Sequence, residues 1–328
     1  MSINNHDLSL QIKILFIGTA DIYEDVKKNI PKIWKIYHVN SLEEFKNQRT
    51  SVNVILDASI RDAIDLKRKE FSNVKFVCCA STGSNHIITP PEKSGQISII
   101  TLRDVPDVLS KLTSAAEFSF GLLIALARNL IPAALSVSSG TWNRTDYPGM
   151  ILSGKELGII GYGRIGKSMA VYAKSFGMKV SYYDPHVKTE QRGVIVRKTL
   201  EDLVSKSDFI TLHVPYDSAS SLNPLLTKKN FLKFKPGSYF INTSRGELID
   251  ERGLISAFEA GIIKGAALDV LCNEPDVENN LIFKYFRKSG ANILFTPHIG
   301  GYSLENVRIA TLGILDFLKF KLRNNDNE

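Results

Sequence analysis

A chain of 328 residues is long for one domain and sets two domains of about 150 residues as the prior. With 44% hydrophobic and 23% charged residues it has the composition of an ordinary soluble globular protein able to bury sizeable cores. A formal charge of +7 favours anionic ligands such as nucleotides or small acids, but the lysines are scattered without a basic arm, which argues against nucleic acid.

The start, "MSINNHDLSLQIK", lacks a basic segment followed by an apolar one, so no signal peptide is expected. "IKILFI" from Ile12 reads as a strand and "TADIYEDVKKNI" as a helix. "VNVILDAS" (52–59) and "VKFVCCAS" (74–81) are again strand-like, with "RDAIDLKRKEF" expected as a helix between them. This alternation predicts a small parallel α/β unit over roughly the first hundred residues. Cys78 and Cys79 are neighbours whose side chains would leave a strand on opposite faces, so no disulfide is expected between them. With Cys272 the only other cysteine, no CxxC or Cys/His cluster suggests a metal. "SAAEFSFGLLIALARNL" (114–130) reads as one long apolar helix. The apolar window from Phe118 to Val137 contains Arg128 and Pro132, which predicts a buried helix with a stop rather than a membrane span. A cytoplasmic setting follows. "SSGTWNRTDYPG" is turn-rich.

A second α/β series begins at Glu156. Six strand-like segments ("ELGII", "MKVSYYD", "FITLHVP", "SYFINTS", "GAALDVL", "NILFTP") alternate with helices, which predicts a doubly wound sheet. Residues 303–328 read as an amphipathic helix with a polar tail.

"GKELGIIGYGRIGKSMA" places Gly161, Gly163 and Gly166 between a strand and a helix. In a dinucleotide site the first allows a tight turn, the second a close approach to pyrophosphate, and the third helix–strand packing. The helix start adds free N–H groups and a partial positive charge. Asp184 ends the next strand, where a carboxylate accepts from an adenosine ribose and repels the extra phosphate of NADP. NAD is therefore the expected cofactor. A surface Asp-Pro turn and S-adenosylmethionine binding are the weaker readings.

Ligands of such sheets bind outside the carboxyl ends of the strands. His213, Arg245, Asp269, Glu274 and His298 all follow strand ends. Arginine can clamp a carboxylate, histidine can exchange a hydroxyl proton near neutral pH, and a carboxylate can fix the histidine tautomer. That combination suits oxidation of a hydroxy acid. Spacing alone leaves His213 and His298 equal as proton carrier, and Arg245 or Asp269 could instead seal or cap loops.

At these residues the chain resembles the D-isomer-specific 2-hydroxyacid dehydrogenases, through "GKELGIIGYGRIGK", "YYDP", "LHVP", "INTSRGELIDE", "GAALDVLCNEP" and "TPHIGG" in that order. The resemblance runs from about Phe76 to about Tyr302. It implies Arg245 as substrate clamp, Glu274 as partner of the histidine, and His298 as the acid/base. It puts His213, Val214, Pro215, Thr243, Ser244, Asp269 and Gly300 on the cofactor, with Arg164 and Ile165 at the pyrophosphate. "CASTGSNHI" is similar to the family's substrate loop, so backbone amides of Ser81, Thr82, Gly83 and Ser84 would meet a small anionic 2-hydroxy or 2-oxo acid. "STGSNHI" and "GTWNRTDYPG" look most like the 3-phosphoglycerate-dehydrogenase-like branch. The implied fold is two doubly wound parallel-sheet domains: a Rossmann NAD domain (109–300) inserted into a flavodoxin-like substrate domain (1–108 and 301–328), assembled as a homodimer. Phe118, where many relatives carry histidine, and Ile88, where an acid is usual, depart from the pattern. A non-catalytic, NAD(H)-sensing corepressor-like scaffold is the alternative function.

Overall fold

The computed structural model describes residues 11–45, 50–59, 63–187, 192–216 and 224–325. The N-terminal stretch before residue 11, Arg61 and Asp62 of the expected helix, and the last residues of the polar tail lie outside them. The chain forms two compact units, Met1–Leu112 with Ser303–Glu328, and Thr113–Tyr302.

The first unit runs β1 (Lys13–Ile17), α1 (Ala20–Asn29), β2 (Lys35–Val39), the single turn α2 (Leu42–Phe45), β3 (Val54–Asp57) and β4 (Ile64–Asp65). It continues through β5 (Phe76–Cys79), β6 (Ile87–Ile88), β7 (Ser98–Ile100) and the short helix α3 (Pro106–Leu109). Five strands make a parallel sheet in the order β2-β1-β3-β5-β7, and β4 pairs with β6 apart from it. Chain direction across the sheet reverses between β1 and β3, which opens a crevice at their carboxyl ends. Alternation along β1 feeds two cores. Ile14 and Phe16 pack on one face, Leu15 and Ile17 on the other with Phe45 and Phe71. Both faces are covered, as a parallel sheet requires. Cys78 and Cys79 divide between the same two cores as free thiols.

One expectation fails here. The described part of "RDAIDLKRKEF" is not an α-helix but β4 followed by a 3-10 turn at Lys69–Phe71. Ile64 and Leu66 are both fully buried, a spacing of two that a strand satisfies and a helix face does not.

The second unit begins with α4 (Ser114–Ala127) and α5 (Leu130–Ser138). β8 (Glu156–Ile160), α6 (Arg164–Ser175), β9 (Lys179–Tyr183), β10 (Ile195–Val196), α7 (Leu200–Val204) and β11 (Phe209–Leu212) follow. Then come α8 (Lys228–Phe231), β12 (Ser238–Asn242), α9 (Glu251–Glu259), β13 (Ile263–Leu268), α10 (Leu281–Ser289) and β14 (Ile293–Phe295). Seven parallel strands lie in the order β10-β9-β8-β11-β12-β13-β14, so the direction of winding reverses between β8 and β11. Leu157, Ile159 and Phe209 face α4 and α6, while Ile210, Leu212 and Phe240 face the opposite core.

The expected single helix over 114–130 is two. Arg128 leaves the helical region and Asn129 turns left-handed at φ 49, with its amide donating to the Pro148 carbonyl at 2.9 Å. α4 buries Phe120, Leu123 and Leu126, whereas α5 ("LIPAALSVS") buries nothing. The apolar window from Phe118 to Val137 is thus buried only in its first half.

α11 (Leu304–Asn325) returns to the first unit. It adds Ile314, Leu315 and Leu318 to the core that holds Ile14 and Phe16. Gly313 lets it close on α3: a Cβ there would lie 2.5 Å from a Val108 methyl.

Candidate active site

Two loops meet where the second sheet reverses. The Gly161 amide donates to the Tyr183 carbonyl, and the chain turns at φ +88. A Cβ on Gly161 would stand 2.6 Å from the His213 carbonyl, so only glycine lets the two loops approach. Gly166 lies against the Gly161 carbonyl in the same way. Gly163 is different: nothing lies within 4 Å of where its Cβ would be, and it precedes the first turn of α6 with no side-chain cap. The loop therefore keeps an open, donor-lined face at the amino end of a 12-residue helix, the shape and polarity a pyrophosphate needs. Arg164 and Ile165 open that helix, both half-buried.

Asp184 leaves β9 beside this loop. Its Oδ2 accepts from the Tyr162 amide at 2.8 Å, and its Oδ1 from the amides of His186 and Val187 at 2.8 and 3.2 Å. The carboxylate thus joins the glycine loop to the turn after β9. It makes the surface turn and is fastened to the glycine loop at once.

His213 and His298, equal by spacing, differ in surroundings. His213 is buried, and burial lowers its pKa to about 3, so it is neutral. Its Nε2 pairs with the Thr211 hydroxyl at 2.8 Å, while the buried Nδ1 has no partner among the described residues. Among the described residues no carboxylate contacts it. His298 Nδ1 stands 2.7 Å from Glu274 Oε2, with the two side chains 42% and 33% exposed. Of the two, His298 combines access with an anionic partner, which fixes its tautomer and leaves Nε2 without a partner among the described residues. Burial opposes ionisation of Glu274, but the hydrogen bond and charge of His298, the Leu271 amide and the Arg245 guanidinium hold its carboxyl below the usual range. Leu271 N–H donates to Oε1 at 2.7 Å.

Asp269 holds the histidine loop in place. Its Oδ1 accepts from the Thr296 hydroxyl at 2.6 Å and the Ile299 amide at 2.9 Å, and its Oδ2 from the Gly300 amide at 2.8 Å. The Gly300 carbonyl in turn accepts from Ser114 at the start of α4. Burial raises the Asp269 carboxyl, partly offset by these bonds. His298 itself sits at φ 54, a left-handed conformation that its amide bond to the Asp269 carbonyl helps to hold.

Arg245 follows β12 in extended backbone, half-buried, with Nη1 donating to the Ser244 carbonyl at 2.7 Å. Two residues the sequence did not single out place it. Buried Asn242 donates from Nδ2 to the Arg245 carbonyl at 3.0 Å and accepts from the Ser244 amide at 3.0 Å. Gly246 lies where any side chain would strike the Leu271–Cys272 peptide, which brings the Arg245 loop against the loop of Glu274. The signals were a polar residue ending an all-buried strand and a glycine directly after the arginine. Thr243 is held by the buried Ser119 hydroxyl at 2.6 Å, and Ser244 donates to the Leu212 carbonyl at 2.9 Å. Val214 and Pro215 continue from His213 at the same rim.

Arg245, Glu274 and His298 thus gather at the carboxyl edge of one sheet, with the glycine loop at that edge. Ser81, Thr82, Gly83 and Ser84 belong to the other unit, at the carboxyl end of β5. The Ser81 hydroxyl donates to the Gly83 carbonyl at 2.6 Å, which curls that loop.

Comparison with known proteins agrees with this geometry. Residues 120–300 match the family described as D-isomer specific 2-hydroxyacid dehydrogenase, NAD binding domain. The chain is 30% identical to the glycerate dehydrogenase of Methylorubrum extorquens over 93% of its own length and 94% of that protein. It is 31% identical to the D-3-phosphoglycerate dehydrogenase of Methanocaldococcus jannaschii over 95% of its length, but spans only 58% of that longer relative. The structure of the D-lactate dehydrogenase from Escherichia coli superposes with a TM-score of 0.76 at 22% identity, covering 94% of this chain and 97% of that one, and shares its fold. Motifs, sheet topology and alignment converge: the chain belongs to the D-isomer specific 2-hydroxyacid dehydrogenase family, and its NAD(H) domain is the one that carries Arg245, Glu274 and His298.

Proposed function

We propose that the protein catalyses reversible hydride transfer between NAD(H) and C2 of a small D-2-hydroxy acid or its 2-oxo acid. The carrying observation is the 2.7 Å contact between His298 Nδ1 and Glu274 at the rim that also holds Arg245. The nicotinamide, when bound, gives or takes the hydride. In the reducing direction Arg245 holds the substrate carboxylate and the carbonyl oxygen, and His298 Nε2 delivers the proton to that oxygen. Glu274 keeps the imidazole oriented, and in oxidation the proton returns to Nε2. The backbone amides of Ser81 to Ser84 are the candidate carboxylate-binding loop of the first unit. The names of the relatives favour glycerate- or 3-phosphoglycerate-type substrates. NADH oxidation with glyoxylate, hydroxypyruvate, pyruvate and 3-phosphohydroxypyruvate tests the reading. Turnover of at least one is expected, and a protein that binds NADH yet reduces none of them would refute it.

The residues fit NAD better than NADP, because the Asp184 carboxylate would face the 2′-phosphate of NADP. Asp184→Ala is expected to weaken NADH binding by about tenfold or more and to narrow the discrimination against NADPH. Fluorescence titration with both nucleotides checks this. Unchanged discrimination would remove Asp184 from the ribose.

The same reading makes the protein a homodimer in the cytoplasm, acting without metal, nucleic acid or membrane. α5 supports the dimer. It carries no charge, buries no residue, and exposes Leu130, Ile131, Leu135 and Val137, with Trp142 beyond it 89% exposed. An apolar helix with no fully buried residue and four exposed large side chains is a surface suited to a partner. Ile131→Asp with Leu135→Asp is expected to halve the mass measured by light scattering. A wild-type protein already monomeric would end the dimer proposal.

A further inference from the structure

We propose that Asp57 and His86 form a positioning pair that holds the substrate loop in its binding shape. The proposal rests on the reading of Ser81–Ser84 as the carboxylate-binding loop, and deepens it.

Asp57 ends β3, at the crevice where the first sheet reverses, and is only 1% exposed. Its Oδ1 accepts from the Ser59 amide and hydroxyl, both at 2.9 Å. Its Oδ2 faces His86 Nε2 at 3.1 Å, and the imidazole is 16% exposed. The Cys79 thiol is 3.9 Å from the same nitrogen, buried and neutral, so Asp57 is the anionic partner.

His86 lies just beyond the loop. Main-chain bonds fasten the loop at its ends: Ala80 N–H to the Asp57 carbonyl, Leu102 N–H to the Ser81 carbonyl, and Ile64 N–H to the His86 carbonyl. Between those anchors the side chains of Thr82, Ser84 and Asn85 make no hydrogen bond among the described residues. His86 is therefore the side-chain tether that draws the far end of the loop onto the sheet. Its partner is a buried carboxylate that is also held by the Ser59 amide and hydroxyl, so the tether ends on a fixed point of the sheet. Amides that must converge on a carboxylate gain from such fixing, since small misplacements are costly in binding.

Substitution should raise KM and spare turnover, because the pair touches neither hydride nor proton. His86→Ala is expected to raise KM for the reduced 2-oxo acid by about 10- to 100-fold, with kcat within about threefold and NADH affinity unchanged. His86→Gln, whose Nε2 reaches the same point, should return KM close to wild type. Hydrogen exchange of the NADH-free protein adds an activity-independent readout: amides 81–86 should exchange faster in His86→Ala while β3 and β5 are unmoved. Should His86→Ala fail to fold, Asp57→Asn takes its place in both measurements. An unmoved KM, an equal fall in kcat, or no rescue by Gln would overturn the pairing. A wild-type protein inert toward every 2-oxo acid would defeat the functional reading alone. The tether is then decided by exchange, and unchanged protection of 81–86 would overturn it.

Discussion

His298→Gln is expected to lower kcat by about 10²- to 10⁴-fold while NADH binds with near-normal affinity. The reasoning begins with the two histidines that spacing could not separate. His213 is desolvated and neutral, with a pKa of about 3, and has no carboxylate beside it among the described residues. It cannot carry a proton back and forth near neutral pH. His298 is partly exposed and hydrogen-bonded to Glu274 through Nδ1. Glutamine approximates the reach of the imidazole and can still bond Glu274, so the loop held by Asp269 should keep its form. What disappears is an imidazole nitrogen that can give and take a proton, which an amide cannot do. Steady-state rates and NADH fluorescence, measured together, separate the lost chemistry from lost binding. A variant with near-wild-type kcat would remove His298 from the reaction.

Much of this site was legible before the structure because each piece had a local reason. The glycine loop is written in three residues whose missing side chains are demanded by three different neighbours: the His213 carbonyl, open space, and the Gly161 carbonyl. Fully buried strands such as β3 and β11 are continuous apolar runs and read directly. Three of the edge strands do not. β2 ("KIYHV") is half-exposed, β7 is three residues long and β10 only two, so none offers a run strong enough to detect. A stop in this apolar window was readable from Arg128 and Pro132, but not that the turn itself falls on Asn129. The helix stops through a left-handed residue that asparagine tolerates, not through a proline. Asp269 was read as a residue near the cofactor. Its two oxygens accept three bonds from the loop of His298, a long-range role that spacing does not encode. The pairing of Asp57 with His86, 29 positions apart, was invisible for the same reason.

Arg245→Ala is expected to lower kcat/KM by about 10²- to 10³-fold or more, through both binding and turnover. Arginine is the residue for this place because its planar fork can meet a carboxylate and an adjacent carbonyl oxygen together, whereas lysine offers a point charge. Arg245→Lys should therefore recover only part of the loss. The fold invests in the position of this side chain. Asn242 grips its carbonyl, Ser244 takes a hydrogen bond from Nη1, and Gly246 admits the peptide that follows Leu271. The guanidinium is also one of the charges that keep the Glu274 carboxyl ionised. Removing it should thus weaken the substrate clamp and disturb the partner of His298 in one step. Comparison with His298→Gln distinguishes the two roles: loss of the clamp should raise KM for the 2-oxo acid, whereas loss of the proton carrier should leave KM nearly unchanged. If Arg245→Ala keeps an ordinary kcat/KM, the arginine only seals its loop, and the substrate must be held from elsewhere.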